Sequence, residues 1–230
     1  MDGNGRWAQK RGLPRTEGHK AGVRAFERVC EYAAGLGIPV LTFYAFSTEN
    51  WTRPPEEVAA IMALFRRQLE EAQRRRAENE SKGWRIRYIG DLEEGGPVPA
   101  DILRLLRDME RQSVDKDKTV VNIAVNYGGR QEILRAVRRL AQLAEKHVLY
   151  PGEITERDVA DGLYTAGQPD PDLIIRPSGE QRLSNFLLWQ SAYAEYWYSD
   201  VLWPDFTERH LDDALEAYAR RNRRFGDVGN

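Results

Sequence analysis

Residues 38–58 read IPVLTFYAFSTENWTRPPEEV and contain three kinds of sequence in succession. The first part, 38–46, is a nearly continuous apolar and β-branched run, which is the pattern of a strand covered on both faces by helices. The polar stretch at 47–54 follows as a loop. Pro54 and Pro55, followed by two glutamates, then predict the first turn of a helix. A buried strand, a polar loop and a helix in this order indicate an α/β protein.

The same alternation runs along the rest of the chain. Residues 21–36 carry a helical apolar stripe that ends at glycines, and residues 84–89 alternate apolar and basic side chains as in a half-exposed strand. The other predicted elements are helices at 100–112, 131–146 and 208–224, a short helix after Thr155, and strands at 119–125 and 173–175. We therefore expect an α/β fold in a single domain over residues 1–230, with an open, mostly parallel sheet of about six strands wrapped by helices.

Five polar loops hold the candidate functional residues, and most of them follow an apolar, β-rich run. They are DGNGR at 2–6, STENWTRP at 47–54, NYGGR at 126–130, RPSGEQRLSN at 176–185 and AEYW at 194–197. Ligands of open parallel sheets bind outside the carboxyl ends of the strands, so we expect these loops to converge on one crevice and to bind a diphosphate. Only Met1 precedes DGNGR, where the pattern elsewhere places a strand, so we expect an upstream N-terminal strand to be missing from this sequence.

Composition and motif searches exclude several classes of protein. The net charge of −2 argues against a nucleic-acid-binding protein, which would carry a surplus of Lys and Arg. The one cysteine, Cys30, cannot form an internal disulfide and is expected in the core, and a reducing, cytoplasmic location is the simplest expectation. The sequence has no P-loop, no GxSxG motif and no HExxH pair, so the common NTPase, hydrolase and zincin interpretations are removed.

The segment from Asp2 to Arg6 combines a carboxylate, two glycines and a guanidinium group. Glycines let backbone N–H groups approach a ligand, so the segment is a candidate site for phosphate and Mg²⁺. The alternative is an ordinary turn, since Asp-Gly and Asn-Gly are common turn signals. Arg15 and His19 at the start of the next helix favour the anion site, because the positive end of a helix dipole attracts anions.

Two other clusters are candidates for binding or catalysis. One strand-to-helix turn contains Ser47, Glu49, Asn50, Trp51 and Arg53, although a turn needs only one cap. Farther along, Arg176 and Arg182 with Ser184 can clamp a diphosphate, the alternative being that the arginines pair with Glu180. Glu195 lies among aromatic residues, where an unpaired carboxylate is costly to bury, so a metal or an arginine is expected as its partner.

Together, MDGNGRWA, GHKAG, LTFYAFSTENWTRP, NYGGR and RPSGEQRLSNFLLWQ with WPDF resemble the cis-prenyltransferase family, of the undecaprenyl diphosphate synthase type, over residues 1–226. The resemblance implies an enzyme that uses Mg²⁺ to condense isopentenyl diphosphate with farnesyl or geranyl diphosphate. Its products would be polyprenyl diphosphates with cis double bonds, such as undecaprenyl diphosphate. It also implies an apolar tunnel for the growing chain. The apolar stripes at 23–33 and 58–69 suit such a tunnel, and ordinary core packing fits them equally well.

The resemblance also assigns roles to residues by their positions in the motifs. Asp2 would hold the Mg²⁺ that assists departure of the allylic diphosphate, and Glu195 would reach the metal from near a dimer contact. The residues that would grip the allylic diphosphate are Gly3, Asn4, Gly5, Arg6, Trp7, Arg15 and His19. Those that would bind isopentenyl diphosphate are Arg176, Arg182 and Ser184. Ser47, Asn50, Trp51 and Arg53 would lie between the two substrates, with Ser47 and Asn50 near the proton loss.

Gln181 stands where many family members carry His, so a metal or proton role at that position is not expected here. The resemblance further implies a homodimer, in which the closing Arg224-Phe225-Gly226 reaches the partner subunit, and a peripheral membrane contact for product release. One alternative is a short-chain cis-prenyl diphosphate synthase. Another is a non-catalytic subunit of a hetero-oligomeric enzyme, which the presence of Asp2, Arg176 and Arg182 disfavours.

Overall fold

The strand predicted at 38–46 is present as β1, Val40–Ser47, in the computed structural model, which describes residues 1–75 and 82–221. It pairs in parallel with β3, Thr119–Tyr127, and β3 pairs in parallel with β2, Trp84–Ile89, so that the strand order is β1-β3-β2. The register joins Val40 to Val120 and Trp84 to Thr119. The α/β class with parallel strands is therefore confirmed.

Four helices accompany this sheet: α3, Pro55–Arg74; α4, Ala100–Gln112; α5, Gly129–Glu145; and α6, Glu156–Ala160. The start of α3 follows the predicted signal, with Pro55 in its first turn and two glutamates beside it. Helices α3 and α4 pack on one face of the sheet, where they bury an apolar cluster formed by Phe46, Met62, Leu69, Tyr88, Val98, Ile102, Leu103, Leu106 and Val125. Burial of apolar surface on this scale is the main stabilising term of the region.

The β-strands β4, Leu173–Arg176, and β5, Glu195–Tyr198, form a separate parallel pair. The prediction of a loop at 194–197 is wrong, because Glu195 to Trp197 belong to β5. Tyr and Trp favour extended backbone, and β5 completes its backbone hydrogen bonds against β4. Helices α1, Asn4–Gln9, α2, Arg15–Gly35, and α7, Glu208–Ala219, belong to the same part of the chain. The predicted loop at 2–6 is therefore partly helical.

Helices α1 and α2 pack very closely through two glycines of the GHKAG motif. A Cβ atom at Gly18 would lie 2.0 Å from the carbonyl oxygen of Asn4, and one at Gly22 would lie 2.4 Å from Asn4 Oδ1. Real Cβ atoms do not approach that closely, so Gly18 is required by the Asn4 backbone, whereas a Cβ atom at Gly22 would displace the Asn4 side chain. The buried face of α2 also contains Cys30, a free thiol with no exposed surface, as predicted.

The chain divides into two compact units. The first unit comprises Met1–Leu36, Asp170–Leu183 and the segment from Gln190 onward, and the second comprises Gly37–Pro169 and Ser184–Trp189. The three-stranded sheet lies in the second unit and the β4–β5 pair in the first. The count of about six strands in one sheet is not confirmed, because the described residues form five strands in two sheets. The single-domain organisation and the apolar tunnel stay predictions.

Across residues 1–75 and 82–221, no helix combines the length and the apolar character needed to cross a membrane. The predicted contact of Arg224-Phe225-Gly226 with a partner lies outside the described residues.

Candidate active site

Asp2 is held at the start of the first unit by its own backbone. Its carbonyl oxygen accepts hydrogen bonds from Ser178 Oγ at 2.7 Å and from the Trp203 N–H at 3.0 Å. Its carboxylate accepts the N–H of Gly3 through Oδ1 at 2.7 Å. Gly3 has a φ of 93°, and a Cβ atom there would lie 2.4 Å from Ser178 Oγ, so only glycine fits between Asp2 and Ser178.

The second carboxylate oxygen of Asp2 faces two guanidinium groups. Asp2 Oδ2 lies 3.3 Å from Arg176 Nη2 and 3.5 Å from Arg6 Nη2. Arg176 is the more buried of the two arginines, with 17% of its side chain exposed against 45% for Arg6. Arg176 stands at the end of β4 and Arg6 on α1, so residues far apart in sequence meet at one carboxylate.

Glu180 and Arg182 extend these ion pairs. Glu180 pairs with Arg182, and its Oε1 lies 3.7 Å from Arg6 Nη1. The carbonyl oxygen of Arg182 accepts a hydrogen bond from Arg176 Nη1 at 2.7 Å. We call Asp2, Arg6, Arg176, Glu180 and Arg182 the Asp2 cluster. Three guanidinium groups against two carboxylates leave one positive charge, which suits an anionic ligand. The predicted alternative of pairing with Glu180 holds for Arg182, whereas Arg176 pairs with Asp2.

The other predicted diphosphate ligands of the first unit lie around α1 and α2. Arg15 and His19 are one turn apart at the start of α2, and a Cβ atom at Gly5 would be 3.2 Å from Arg15 Nε, so the guanidinium group lies over that glycine. Trp7 is held otherwise, since its Nε1 donates to Asp205 Oδ1 at 2.7 Å and its ring lies under the Arg11 guanidinium group. The structure gives Trp7 a packing role.

Glu195 has an arginine partner, one of the two expected alternatives. Its Oε2 lies 3.2 Å from Arg221 Nη1. In the β4–β5 register Glu195 faces Leu173, three positions from the pair formed by Arg176 and Tyr198, a separation of about 10 Å along the strands. Alternation of side chains also directs Glu195 and Arg176 to opposite faces of this sheet. The structure therefore does not bring Glu195 to the Asp2 cluster of its own chain, and its metal role stays a prediction.

The turn after β1 uses its polar side chains for its own structure. Ser47 and Asn50 form a capping box around the 3₁₀ turn Thr48–Thr52, in which Asn50 Oδ1 accepts the Ser47 N–H at 3.1 Å. Trp51 Nε1 donates to Asn126 Oδ1 at 2.8 Å. Arg53 pairs with Glu57 on α3 at 3.1 Å. The structure thus brings these four predicted site residues together, and capping accounts for two of them.

An apolar cavity of about 490 Å³ opens beside this turn, in the second unit. Its lining is mainly apolar, with two arginines, and consists of Trp51, Arg53, Pro55, Val58, Ala59, Met62, Arg66 and Pro99. Arg66 is paired with Asp101 of α4. The cavity therefore offers an apolar surface that begins at the predicted substrate-binding residues Trp51 and Arg53.

Sequence reasoning did not single out Asn185, which joins three segments of the second unit. Asn185 Nδ2 donates to Glu49 Oε1 at 2.8 Å and to Gln131 Oε1 at 3.1 Å, and its Oδ1 accepts the Arg130 N–H at 2.8 Å. We call this arrangement the Asn185 joint. Burial alone would raise the pKa of Glu49, but hydrogen bonds from Asn185 and neighbouring groups outweigh it and lower that pKa. The only local signal was an Asn in a polar loop.

The loop that contains Asn185 also carries the predicted ligand Ser184 and has unusual backbone geometry. Ser184, Asn185 and Leu187 have φ values of 51°, 62° and 45°, and non-glycine residues in this region cost on the order of 1–3 kcal/mol each. The loop is held at its far end by Tyr127, whose hydroxyl accepts the Leu187 N–H at 3.2 Å. That hydroxyl donates to the fully buried Glu132. Burial, followed by the charge of Glu132, raises the pKa of Tyr127, which keeps the phenol protonated.

The Asp2 carboxylate fits a Mg²⁺ ligand on chemical grounds. Mg²⁺ is usually bound through one or two carboxylates, several waters and the phosphate oxygens of a substrate. Asp2 has 41% of its side chain exposed, and its arginine neighbours are suitable partners for a diphosphate bound with the ion. Among residues 1–75 and 82–221 there is no group of three or more acidic, His or Cys side chains placed to hold a metal. A metal ion held by Asp2 would therefore need further ligands from water or a substrate.

Comparisons with known proteins agree across nearly the whole chain. The sequence model of the family described as "Putative undecaprenyl diphosphate synthase" matches residues 1–226. The isoprenyl transferase of Heliobacterium mobile is 50% identical over 228 residues, which are 99% of this chain and 85% of that protein. The trans,polycis-polyprenyl diphosphate synthase of Thermobifida fusca, described as (2Z,6E)-farnesyl diphosphate specific, is 49% identical over 98% of this chain and 78% of its own length.

Among solved structures, lavandulyl diphosphate synthase from Lavandula x intermedia, crystallised with dimethylallyl diphosphate, has a TM-score of 0.92 and 34% identity. The match covers 99% of this chain and 95% of that one. The chain therefore matches the family over residues 1–226 and shares a backbone fold with this structure over 99% of its length.

Proposed function

Since the chain belongs to the undecaprenyl diphosphate synthase family, and is therefore a prenyltransferase that elongates chains with cis double bonds, we propose its substrates and product as follows. It condenses isopentenyl diphosphate with an allylic diphosphate, farnesyl or geranyl diphosphate, and releases diphosphate at each step. The product is a polyprenyl diphosphate such as undecaprenyl diphosphate. Homodimer formation, a cytoplasmic location and a peripheral membrane contact during product release belong to the same proposal.

The observation that carries this proposal is the meeting of Arg6 and Arg176 at the half-exposed carboxylate of Asp2. Prenyl transfer requires that negative charge growing on a departing diphosphate be stabilised in a prearranged site. Arg6 supplies hydrogen-bond donors for that charge, while Arg176, at the same carboxylate, is assigned to the diphosphate of the second substrate. Asp2 would hold Mg²⁺ together with diphosphate oxygens, and the bound ion would neutralise the leaving group.

The residues of the chain have separate tasks in this proposal. Gly3 lets the backbone pass close to Ser178 and so aims the Asp2 carboxylate, while Arg15 adds a positive charge and His19 a hydrogen-bond donor for the allylic diphosphate. Arg176 and Arg182 bind the diphosphate of isopentenyl diphosphate, with Ser184 as a further donor. Glu195 acts as a metal ligand only if a partner subunit places it there, since it faces away from Arg176 in its own chain.

The turn after β1 presents an apolar and aromatic surface to the substrate hydrocarbon. Ser47 and Asn50 keep the turn in shape, and Trp51 with Arg53 borders the apolar cavity of about 490 Å³. An apolar wall of this kind excludes water from a reactive allylic cation. In this proposal the homoallylic carbon loses its proton near Ser47 and Asn50.

The second candidate function is that of a short-chain or branching cis-prenyl synthase. The backbone similarity to lavandulyl diphosphate synthase is the observation that supports it. Product length separates the two candidates. The purified chain is incubated with radiolabelled isopentenyl diphosphate, Mg²⁺ and, in turn, dimethylallyl, geranyl or farnesyl diphosphate, and the dephosphorylated products are resolved by length. A ladder of many added units supports chain elongation to a polyprenyl product. A single added unit would transfer the assignment to a short-chain synthase, and no incorporation from any primer would contradict both.

A further inference from the structure

We propose that Asn185 is a positioning residue for isopentenyl diphosphate, which acts through Glu49 by fixing the loop of Ser184 against the turn after β1. The inference rests on the proposed function, because Ser184 and the turn residues are placed in substrate binding there. It concerns only the second unit, to which residues 37–169 and 184–189 belong.

The contacts of Asn185 join both predicted site segments directly. Its amide nitrogen bonds Glu49, which lies between Ser47 and Asn50 in the capped turn, at 2.8 Å. Its amide oxygen and its carbonyl oxygen accept the N–H groups of Arg130 and Gly129, at 2.8 and 2.7 Å, which ties the same loop to the start of α5. One side chain therefore connects the Ser184 loop, the Asn50 turn and a helix start.

Three side chains of the Asn185 joint and the turn after β1 lie close to the backbone at Gly128. A Cβ atom at Gly128 would lie 2.2 Å from Gln131 Oε1 and 2.8 Å from both Asn185 Nδ2 and Thr48 Oγ1. The NYGGR motif thus places glycine where three side chains converge. The joint is compact, so a change in one hydrogen bond moves its neighbours.

The positive φ values of Ser184 and Asn185 require that the loop be held from outside. The Tyr127 hydroxyl, accepting the Leu187 N–H, holds the far end, and the Asn185 side chain holds the near end. Asn and Asp both tolerate this backbone conformation better than other residues with a Cβ atom. Asn185→Asp therefore leaves the backbone preference nearly unchanged and alters the hydrogen bonding and charge of the side chain.

The chemistry of the Asn185–Glu49 pair allows a reciprocal exchange. Asn185→Asp places a carboxylate against Glu49 and removes the donor, so the two groups repel each other. Glu49→Gln restores a donor, because the Gln amide can then donate to Asp at 185. The double variant rebuilds the hydrogen bond with its direction reversed, while Oδ1 of residue 185 still accepts the Arg130 N–H.

The test compares wild type, Asn185→Asp, Glu49→Gln and the double variant by steady-state kinetics with isopentenyl diphosphate varied. Asn185→Asp is expected to raise KM for isopentenyl diphosphate about tenfold with a smaller effect on kcat, and the double variant to recover most of that loss. Thr155→Ala, which removes a cap of α6 in the same unit, is the stability control and should leave KM unchanged. If the rise in KM of the double variant equals the product of the two single-variant rises, the proposal is overturned. A fall in kcat with KM unchanged would overturn it as well.

Thermal unfolding of the same four proteins separates this proposal from the proposed function. If the two side chains exchange donor and acceptor, Asn185→Asp should lower Tm less when Glu49→Gln is also present than it does in the wild type. If the wild type does not incorporate isopentenyl diphosphate, the proposed function fails, and this non-additivity in Tm still reports on the pair. If Tm couples but KM does not, Asn185 is a structural residue only and the positioning role is wrong.

Discussion

In the first unit, Arg6 and Arg176 converge on the half-exposed carboxylate of Asp2, whereas in the second unit Asn50 accepts the Ser47 N–H and Asn185 donates to Glu49. The Asp2 cluster has an excess of positive charge and an accessible acceptor. The Asn185 joint consists of matched donors and acceptors. The difference shows that polar residues in a loop can leave charge for a ligand, as at Asp2, or can match their hydrogen bonds internally, as around Asn185. Where hydrogen bonds are matched internally, the same residue types shape the backbone.

The largest effect is expected for Asp2→Ala. Removal of the carboxylate that would hold Mg²⁺ should lower kcat at least about a thousandfold, with partial retention of substrate binding by the arginines. Turnover with saturating substrates at several Mg²⁺ concentrations measures it. Asp115→Asn, at an exposed carboxylate paired with Lys116, is the matched control and should behave as wild type. Unchanged turnover in Asp2→Ala would remove Asp2 from the site.

Arg176→Ala should act mainly on one substrate. Loss of a largely buried, charge-assisted donor is expected to raise KM for isopentenyl diphosphate about tenfold or more, since hydrogen bonds to charged groups are among the strongest. Each KM is determined with the other substrate saturating. Arg176→Lys keeps the charge but not the planar fork and should be intermediate. An effect confined to the allylic diphosphate would exchange the two substrate assignments.

Gly3→Ala tests the backbone that supports the Asp2 cluster. The φ of 93° and the 2.4 Å approach of an added Cβ atom to Ser178 Oγ should lower the free energy of unfolding by about 2 kcal/mol or more. Gly12→Ala is the control, because Gly12 also has a positive φ but a Cβ atom added there would meet no atom within 4 Å, so a loss of about 1 kcal/mol is expected. Urea unfolding measures both variants. Equal losses would mean that the contact with Ser178 is unimportant.

The smallest effect concerns Glu49 in the Asn185 joint. Its pKa is lowered in the folded protein, so it stabilises the fold at pH values above its ordinary value of 4.5 and loses that contribution as pH falls through the lower folded value. The stability difference between wild type and Glu49→Gln should therefore be constant near neutral pH and shrink in acid. Unfolding at a series of pH values checks this. A difference that grows on acidification would have the wrong sign.

Local pattern was sufficient for much of the fold. Helix α4 lies at the predicted residues 100–112, and β1 and β3 lie within two residues of theirs, because burial on both faces and clear helix-start signals act over a few residues. The strand β5 was missed because its backbone bonds depend on β4, which lies about twenty residues earlier, and its glutamate resembled a loop residue. The local sequence pattern does not show which distant strand a segment pairs with.

The site residues likewise fall into those that local sequence indicated and those that only the folded chain identifies. Asp2, Arg6 and Arg176 were recognisable as charged residues in polar segments, but the contact between Asp2 and Arg176 joins positions 174 residues apart. The roles of Ser47 and Asn50 as caps were available from their spacing, since a residue three positions after a cap is a common partner. Asn185 could not be selected, because its importance comes from three contacts with Glu49, Arg130 and Gln131 that only the folded chain brings together.

The most direct test of the central claim is the stoichiometry of turnover by the wild-type protein. Labelled isopentenyl diphosphate and farnesyl diphosphate are supplied with Mg²⁺, and incorporated label and released diphosphate are measured in the same reaction. Mg²⁺-dependent condensation predicts that one diphosphate is released for each isopentenyl unit incorporated. It also predicts that both signals are lost when the ion is chelated. Release of diphosphate without incorporation, or full activity after chelation, would contradict it.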